Sequence, residues 1–248
     1  VTSDGRCGGG SFTVCDSTQY GNHGSQSNSP TASTSAFLGR AVEFDEPDND
    51  RIDVASDPSL EGFSEWTLGA WVYRQGGFDN FISRFISKSD GSTGEDYQIG
   101  GQPTGSGGNV YSRIVISGLS SQDATTAVPA NEWTFAAGRW DGTQLQSYYN
   151  ANPEGSPTSV SGSLQDSNDT LNLGAHGDNP DGRALDGLLS FAFVADRALS
   201  EGYLTTLYNT TNDAASFLSF GSEESAPSAI SVTQTAYQFR NDEGALAV

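Results

Sequence analysis

Acidic and amide side chains recur in loop-like parts of this chain, at spacings that could gather several oxygen atoms. A hard cation such as Ca²⁺ takes about six to eight oxygen ligands, and Asp and Asn supply them readily. The sequence therefore predicts a structural calcium ion, with an acidic surface that only binds water as the alternative. The candidate ligands are Asp16, Asn22, Asp45, Asp48, Asp50 and Asp186.

A second polar group lies in the segment HGDNPDGR, residues 176–183. Carboxylates and amides hydrogen-bond to sugar hydroxyls, and an aromatic ring can stack on a pyranose. We therefore expect a glycan or cell-surface polysaccharide to bind here, unless the loop only turns between Leu173 and Leu185. The candidate contacts are Asp178, Asn179, Asp181 and Arg183, with Tyr97 and Trp140 as stacking partners.

The segment EFDEPD, residues 43–48, has carboxylates at spacings that a glycosidase could use. Retaining hydrolysis needs two carboxyl groups about 5 Å apart, and strand alternation would place Glu43 and Asp45 on one face. Pro47 opposes this assignment, because proline cannot donate a ladder hydrogen bond inside a central strand. A Ser-His-Asp site is also disfavoured, since both histidines lie in loop-like segments and no GxSxG turn occurs.

Two segments that open with Glu-Trp-Thr indicate the elements that hold these loops. They are EWTLGAWVY at 65–73 and EWTFAAGRW at 132–140. Alternation puts Trp66 and Leu68 on one face of a strand and Trp71 on the other, so both faces are apolar. This pattern favours strands inside a layered sheet.

Local signals predict how other segments turn or coil. Asp141-Gly142 predicts a tight hairpin turn that leads into a strand at 145–149, because glycine adopts positive φ without strain. Residues 197–209 show helical periodicity over one or two turns, with Ser200 as the N-cap.

Charge excludes some classes of partner. The chain has 31 acidic and 11 basic residues, a formal net charge of −20, and its single lysine is Lys88. Nucleic acid needs a cationic surface, so it is not an expected partner. An acidic, lysine-poor surface is typical of halophilic proteins, because at 1 M salt the Debye length is about 3 Å and repulsion is screened. The alternative is an ordinary acidic secreted protein.

The chain shows no run that approaches the ~20 apolar residues of a membrane-spanning helix, so we expect no membrane insertion. It begins with Val rather than Met, which predicts a mature or excised fragment. The spacing of Cys7 and Cys15 favours a local disulfide over a zinc pair, with free thiols as the alternative. A disulfide favours an extracellular, cell-surface or virion-surface location.

Several segments, in order, resemble the laminin G-like jelly roll of the concanavalin A-like lectin and glucanase superfamily. They cover approximately residues 12–209 and are DSTQYGNHGS, GRAVEFDEPDNDRIDV, EWTLGAWVY, NEWTFAAGRWDGTQLQSYYN and LNLGAHGDNPDGRALDGLLSFAFVADRALS. The resemblance implies an all-β, two-sheet antiparallel jelly-roll sandwich with a short helical turn near its end. It also implies a non-catalytic carbohydrate-binding or adhesion module, with a glycoside hydrolase of the glucanase branch as an alternative.

In such a sandwich, alternation predicts which side chains form the core between the sheets. The predicted core is Phe44, Ile52, Trp66, Leu68, Trp133, Phe135, Leu171, Leu173, Leu189, Phe191 and Phe193.

Composition divides the chain into a sandwich at 1–220, an acidic linker at 221–229 and a strand-like segment at 230–248. That last segment either opens a second domain or adds a strand to a partner sheet. The second case predicts a competing function, in which the chain assembles with copies of itself or with other proteins of a cell-surface filament or virion and has no glycan site.

Overall fold

The structure is a computed structural model that describes residues 13–76, 82–89, 95–103, 107–116, 118–164, 167–177 and 183–213. Within these ranges the chain forms strands, a 3₁₀ turn at Pro58–Leu60 and a helix, α1, at Glu201–Asn212. The strands are β1 Thr13–Val14, β2 Gly24–Ser27, β3 Thr31–Ser33, β4 Ala41–Phe44, β5 Arg51–Val54, β6 Trp66–Arg74, β7 Ser83–Ser89, β8 Glu95–Gly101, β9 Asn109–Val115, β10 Leu119–Ala127, β11 Trp133–Trp140, β12 Gln144–Tyr149, β13 Asn152–Ser159, β14 Leu171–Leu173 and β15 Gly187–Ala195.

The strands form two antiparallel sheets packed face to face. The eight-stranded sheet has the order β1-β2-β5-β14-β7-β8-β9-β10, and the seven-stranded sheet has the order β13-β12-β11-β6-β15-β4-β3. Strands β7 to β10 and β11 to β13 pair with their neighbours in the chain, whereas β14 pairs with β5 and β7, which are distant in sequence. This topology confirms the predicted all-β jelly-roll sandwich.

Strands β6 and β11 pair along their whole length at the centre of the seven-stranded sheet. Trp66 and Leu68 face the opposite sheet and belong to the main core. Trp71 and Phe135 point to the other face, where they form a second apolar cluster with Leu204 of α1. Both faces of these strands are therefore buried, as their sequence predicts.

Helix α1 covers the outer face of the seven-stranded sheet. Ser200 caps it as predicted, since its Oγ accepts a hydrogen bond of 3.1 Å from the backbone N–H of Tyr203. The helix is 12 residues long, which exceeds the predicted one or two turns. Packing of Leu204 and Tyr208 against the sheet explains the extra length, because most helical stability in proteins comes from a packed face.

Seven of the eleven predicted core residues lie between the sheets, and four do not. Phe191 is 44% exposed and has a φ of 52°. The register of β15 against β6 shifts between Ser190 and Phe193, so an extra residue interrupts the alternation and turns Phe191 outward. Among the other predicted core residues, Trp133 and Phe193 pack on the second cluster, beside Phe135.

One lateral edge of the sandwich is closed by polar contacts between the sheets. Ser112 of β9 and Ser147 of β12 share a hydrogen bond of 2.8 Å, and Ser147 Oγ also donates to the carbonyl of Gln122. Gly138 permits this approach, because an added Cβ would lie 2.3 Å from Ser112 Oγ. The nearby hairpin turns at Asp141 as predicted, with Gly142 at a φ of 83°.

None of the described helices is both long enough and apolar enough to cross a membrane. The predicted linker at 221–229 and the segment at 230–248 lie outside the described residues, so both assignments stay predictions.

Candidate functional site

A row of polar side chains crosses the outer face of the eight-stranded sheet. Residues that oppose each other in a ladder point to the same face, and the register aligns one such residue from each of seven strands. From β2 to β10 the row is Ser25, Asp53, Asn172, Ser87, Gln98, Arg113 and Ser121. We call these residues the polar row.

The middle of the polar row is buried and its two ends are open. Asn172, Ser87 and Gln98 are at most 1% exposed, whereas Ser25 and Ser121 are exposed. Asn172 Nδ2 donates a hydrogen bond of 2.8 Å to Asp53 Oδ1. Ser87 Oγ is buried and has no hydrogen-bond partner among the described residues. The row therefore has a buried, ordered centre, and its groups become accessible toward the two ends.

Arginine and tyrosine side chains lie beside the row on the same face. The guanidinium carbons of Arg84 and Arg113 are each 5.5 Å from the ring centroid of Tyr111. Tyr111 in turn donates a hydrogen bond of 3.1 Å from its hydroxyl to Gln98 Oε1. Arg84 and Tyr111 are buried, and contact with the ring restrains the guanidinium of Arg113, which is partly exposed and can meet a polar ligand.

The predicted glycan loop meets this face at both of its described ends. An added Cβ at Gly177 would lie 2.4 Å from Asn172 Oδ1, so the loop begins directly over the polar row. At the other end, the carbonyl of Arg183 accepts a hydrogen bond of 3.1 Å from the backbone N–H of Arg84. Asp178, Asn179 and Asp181 lie outside the described residues, and their roles stay predictions.

The stacking roles predicted for Tyr97 and Trp140 are wrong. Both side chains point into the core and have no exposed surface. The hydroxyl of Tyr97 donates a hydrogen bond of 2.8 Å to the carbonyl of Leu60, and Trp140 Nε1 donates one of 2.9 Å to the carbonyl of Val160. Burial also raises the pKa of Tyr97 well above its usual value. These rings stabilise the sandwich and cannot reach a ligand in solvent.

Asp16 and Asn22, two predicted calcium ligands, close a turn together. The carboxylate of Asp16 accepts hydrogen bonds from the backbone N–H groups of Thr18 and Asn22, at 2.8 and 2.9 Å. Burial raises the pKa of Asp16, but the hydrogen bonds from Thr18 and Asn22 outweigh it and lower the pKa overall. The amide of Asn22 is directed to Ser59 Oγ, at 2.9 Å.

The acidic residues between β4 and β5 also serve the backbone. Asp50 is 3% exposed, and its carboxylate accepts hydrogen bonds of 2.7 and 3.1 Å from the N–H groups of Ser29 and Asp45. Asp45 and Asp48 are exposed. Asp50 thus holds the β4–β5 turn against the segment that precedes β3.

Asp186 lies at the start of β15, next to the turn after β6. Its backbone carbonyl accepts a hydrogen bond of 2.9 Å from Gln75 N–H, and its carboxylate lies against Gly76. Across the described residues, no three His, Cys, Asp or Glu side chains form a group that could hold a metal ion. The calcium site stays a prediction, and we derive no chemistry from it.

Two arrangements were missed at the level of sequence because they join distant residues. Ser89 Oγ lies 3.1 Å from His176 Nε2, and both side chains are buried. Lys88 is fully buried, with Nζ 3.3 and 3.4 Å from carboxylate oxygens of Glu61 and Asp96. The one sequence signal for this arrangement is that Lys88 is the single lysine of the chain.

Glu43, one of the two candidate glycosidase carboxylates, lies on the outer face of the seven-stranded sheet. Its register partner Leu188 is also opposite Tyr73, and Glu43 Oε1 accepts a hydrogen bond of 3.2 Å from Gln75 Nε2. Asp45 is exposed beyond the end of β4. Cys15 forms a disulfide bond, and Cys7, its predicted partner, lies outside the described residues.

Comparison with solved structures finds the same fold in several proteins. Domain 4 of AbnA, a GH43 extracellular arabinanase from Geobacillus stearothermophilus solved in complex with arabinotriose, is 17% identical with a TM-score of 0.64, over 79% of this chain and 92% of that chain. The binding domain of Paraclostridial Mosquitocidal Protein 1 is 13% identical with a TM-score of 0.61, over 82% of this chain and 52% of that chain.

The binding domain of botulinum neurotoxin serotype G is 12% identical with a TM-score of 0.58, over 80% of this chain and 49% of that chain. This chain thus spans about half the length of the two toxin binding domains. No curated protein sequence matches it. The family profile for laminin G within the concanavalin A-like lectin/glucanases superfamily matches residues 46–203, and the chain therefore belongs to that family.

Proposed function

We propose that this chain is a non-catalytic carbohydrate-binding or adhesion module whose ligand lies along the polar row. The observation that carries the proposal is the alignment of the row beside Gly177 and Arg183, the described ends of the segment 176–183. The polar residues of that segment predict sugar binding. Its described ends lie against Asn172 and Arg84 on this face. The residue types of the segment and the position of its described ends in the fold thus both favour ligand binding on this face.

The groups on this face match the hydrogen-bonding needs of a sugar. Each sugar hydroxyl donates and accepts, so a binding site needs amides, carboxylates and cationic donors near one another. Asp53 supplies a partly exposed acceptor and Arg113 a partly exposed cationic donor. Asn172, Gln98 and Arg84 are buried beside them and support their positions, as the bond from Asn172 to Asp53 shows. Asp53 and Arg113 remain partly exposed, so a ligand can reach the row from either end.

Proteins with the same fold bind sugars, which supports this choice of ligand. The arabinanase domain was solved with arabinotriose, and cell entry of botulinum neurotoxin type C depends on two ganglioside molecules. A glycan or cell-surface polysaccharide is accordingly our proposed partner, and an extracellular or surface-exposed location follows from it. The charge of −20 supports a halophilic setting in the same proposal.

A non-catalytic role is favoured by the placement of the reactive groups. Glu43 is on the opposite sheet from the polar row, and its carboxylate bonds to Gln75. The Ser89–His176 pair lies in the protein interior, where Ser89 is 2% exposed and His176 is fully buried. Neither arrangement presents an activated group beside the proposed ligand.

Glycan-array binding followed by calorimetry with the best glycan tests the proposal. Truncation of a side chain that hydrogen-bonds through a charged group costs about 1.5–3 kcal/mol, so Arg113→Ala should weaken binding at least about tenfold. The double variant Asp178→Ala, Asn179→Ala should also weaken it. Arg139→Ala is the control, because Arg139 pairs with Asp141 at a distant hairpin.

Either of two results would contradict the proposed glycan-binding function. Full glycan affinity in both the Arg113 and the loop variants, with native circular dichroism, would remove the polar row as the binding site. Turnover of laminarin or a mixed-linkage glucan that disappears in Glu43→Gln would replace binding by glycoside hydrolysis.

A further inference from the structure

The sandwich is open on the side opposite to the Ser112–Ser147 hydrogen bond. There a cavity of about 670 Å³ enters the space between the sheets. Its inner wall is apolar and comes from both sheets, with Val42, Phe44 and Leu189 on one side and Val54, Leu171 and Leu173 on the other. The volume lies within the range of about 300–1,000 Å³ that is usual for sites of small ligands.

Two aromatic side chains stand at the mouth of this inter-sheet cavity, and both are exposed. Tyr20 is 57% exposed and Phe191 is 44% exposed. Phe191 is held outward by the irregularity in β15 and has a φ of 52°, in the left-handed region that non-glycine residues rarely adopt. Strained backbone of this kind concentrates at ligand sites, and here it places an aromatic ring at the entrance of an apolar cavity.

Among the described charged groups at the mouth, one cation has no ion-pair partner. Asp196 and Arg197 pair with each other at 3.2 Å, and the carboxylate of Asp16 accepts hydrogen bonds from its own turn. Arg40 is exposed and forms no ion pair with a described residue. An arginine without an ion pair to any described residue, beside an apolar cavity, is complementary to an anionic head group.

We propose that the inter-sheet cavity binds one free long-chain carboxylate, with the alkyl tail between the sheets and the carboxylate at Arg40. A sugar does not suit the inner wall, which offers few hydrogen bonds. The amino-terminal segment, residues 1–12, is a poor substitute for an alkyl tail, because VTSDGRCGGGSF is mostly polar or glycine. This site is separate from the polar row and does not depend on the proposed glycan function.

Calorimetry of the full chain with dodecanoate below its micelle concentration tests this site. We expect binding of one molecule per chain. Arg40→Gln should weaken dodecanoate binding at least about tenfold while dodecanol binding stays unchanged, because only the carboxylate uses the guanidinium. Arg139→Gln changes a residue that does not line the cavity and should leave both unchanged.

Filling the cavity should abolish binding of both ligands. Leu189→Trp adds bulk to the inner wall, and Val42→Phe does the same from β4 if the first variant fails to fold by circular dichroism. The proposal fails if the wild-type chain does not bind dodecanoate or if Arg40→Gln weakens dodecanol equally. It also fails if a folded cavity variant still binds dodecanoate, or if binding occurs only to anionic lipid vesicles.

Discussion

Lys88 shows how one side chain can take the place of a bound cation. Its ammonium lies within 3.4 Å of five oxygens, namely Ser167 O and Oγ, Asp169 O, Glu61 Oε1 and Asp96 Oδ2. Burial raises the pKa of Asp96, although the bond from Ser167 and the charge of Lys88 act in the opposite direction. This oxygen set resembles what a calcium ion would take, and here a lysine tethered to β7 fills it.

Lys88→Ala should destabilise the fold by about 3–5 kcal/mol, because it leaves buried carboxylates without a cation. Urea unfolding followed by tryptophan fluorescence measures the loss. We also expect Ca²⁺ to raise the melting temperature of this variant more than that of the wild type, since the vacated oxygens can coordinate the ion.

Arg139→Ala is the matched control, since its ion pair with Asp141 is partly exposed and such pairs contribute at most about 1 kcal/mol. A Lys88→Ala protein as stable as that control would show that the ion pairs of Lys88 contribute nothing net to folding.

Strands β10 and β13, at the edges of the two sheets, close one side of the sandwich. Glu154 of β13 reaches β10, where its carboxylate accepts hydrogen bonds from the backbone N–H and hydroxyl of both Thr125 and Thr126, at 2.7–3.1 Å. Burial raises the pKa of Glu154, but these bonds outweigh it and lower the pKa below the usual 4.5. The charged form of Glu154 therefore links the two sheets.

Glu154→Gln should reduce stability by no more than about 1 kcal/mol at pH 7, because the carboxylate is solvent-screened. A lowered folded-state pKa contributes stability that is fully present above pH 4.5 and is lost as the pH falls through the folded value. The difference between variant and wild type should thus shrink in thermal melts below pH 4.5.

Glu132→Gln serves as the comparison for this experiment, since Glu132 is exposed at the start of β11. A stability difference for Glu154→Gln that stays constant from pH 7 to pH 3 would contradict the role assigned to its charge.

The whole molecule combines a strongly acidic composition with a sandwich closed on one side and open on the other. A net charge of −20 over 248 residues creates repulsion that opposes compaction. Salt shortens the range of that repulsion, from a Debye length of about 10 Å at 0.1 M to about 3 Å at 1 M. The global fold should therefore be salt-dependent even though its core is apolar.

We expect the melting temperature to rise between 0.1 M and 1 M NaCl, by about 2–4 °C for each kcal/mol of repulsion that is relieved. Differential scanning calorimetry measures this shift. Sucrose provides the control, because it stabilises by exclusion from the surface and does not screen charge. A melting temperature that does not change with NaCl concentration would argue against a halophilic protein.

Local pattern was enough to predict the parts of the fold that depend on nearby residues. The two faces of β6 and β11, the cap at Ser200 and the turn at Asp141 all follow from alternation or from single-residue conformational preferences. Local pattern did not predict which face of a strand meets solvent. Tyr97 and Trp140 have the residue type of a sugar platform, yet their strands turn them into the core.

The sequence by itself determined the class of fold, the family and the chemistry of the loop at 176–183. Only the tertiary structure decided that Asp53, Asn172 and Arg113 share a face, that Lys88 fills an oxygen cage, and that the sheets part beside Arg40. The physical reason is that alternation and turn preference act over a few residues. Cross-strand register, by contrast, joins residues more than a hundred positions apart, as in the bond between Asn172 and Asp53.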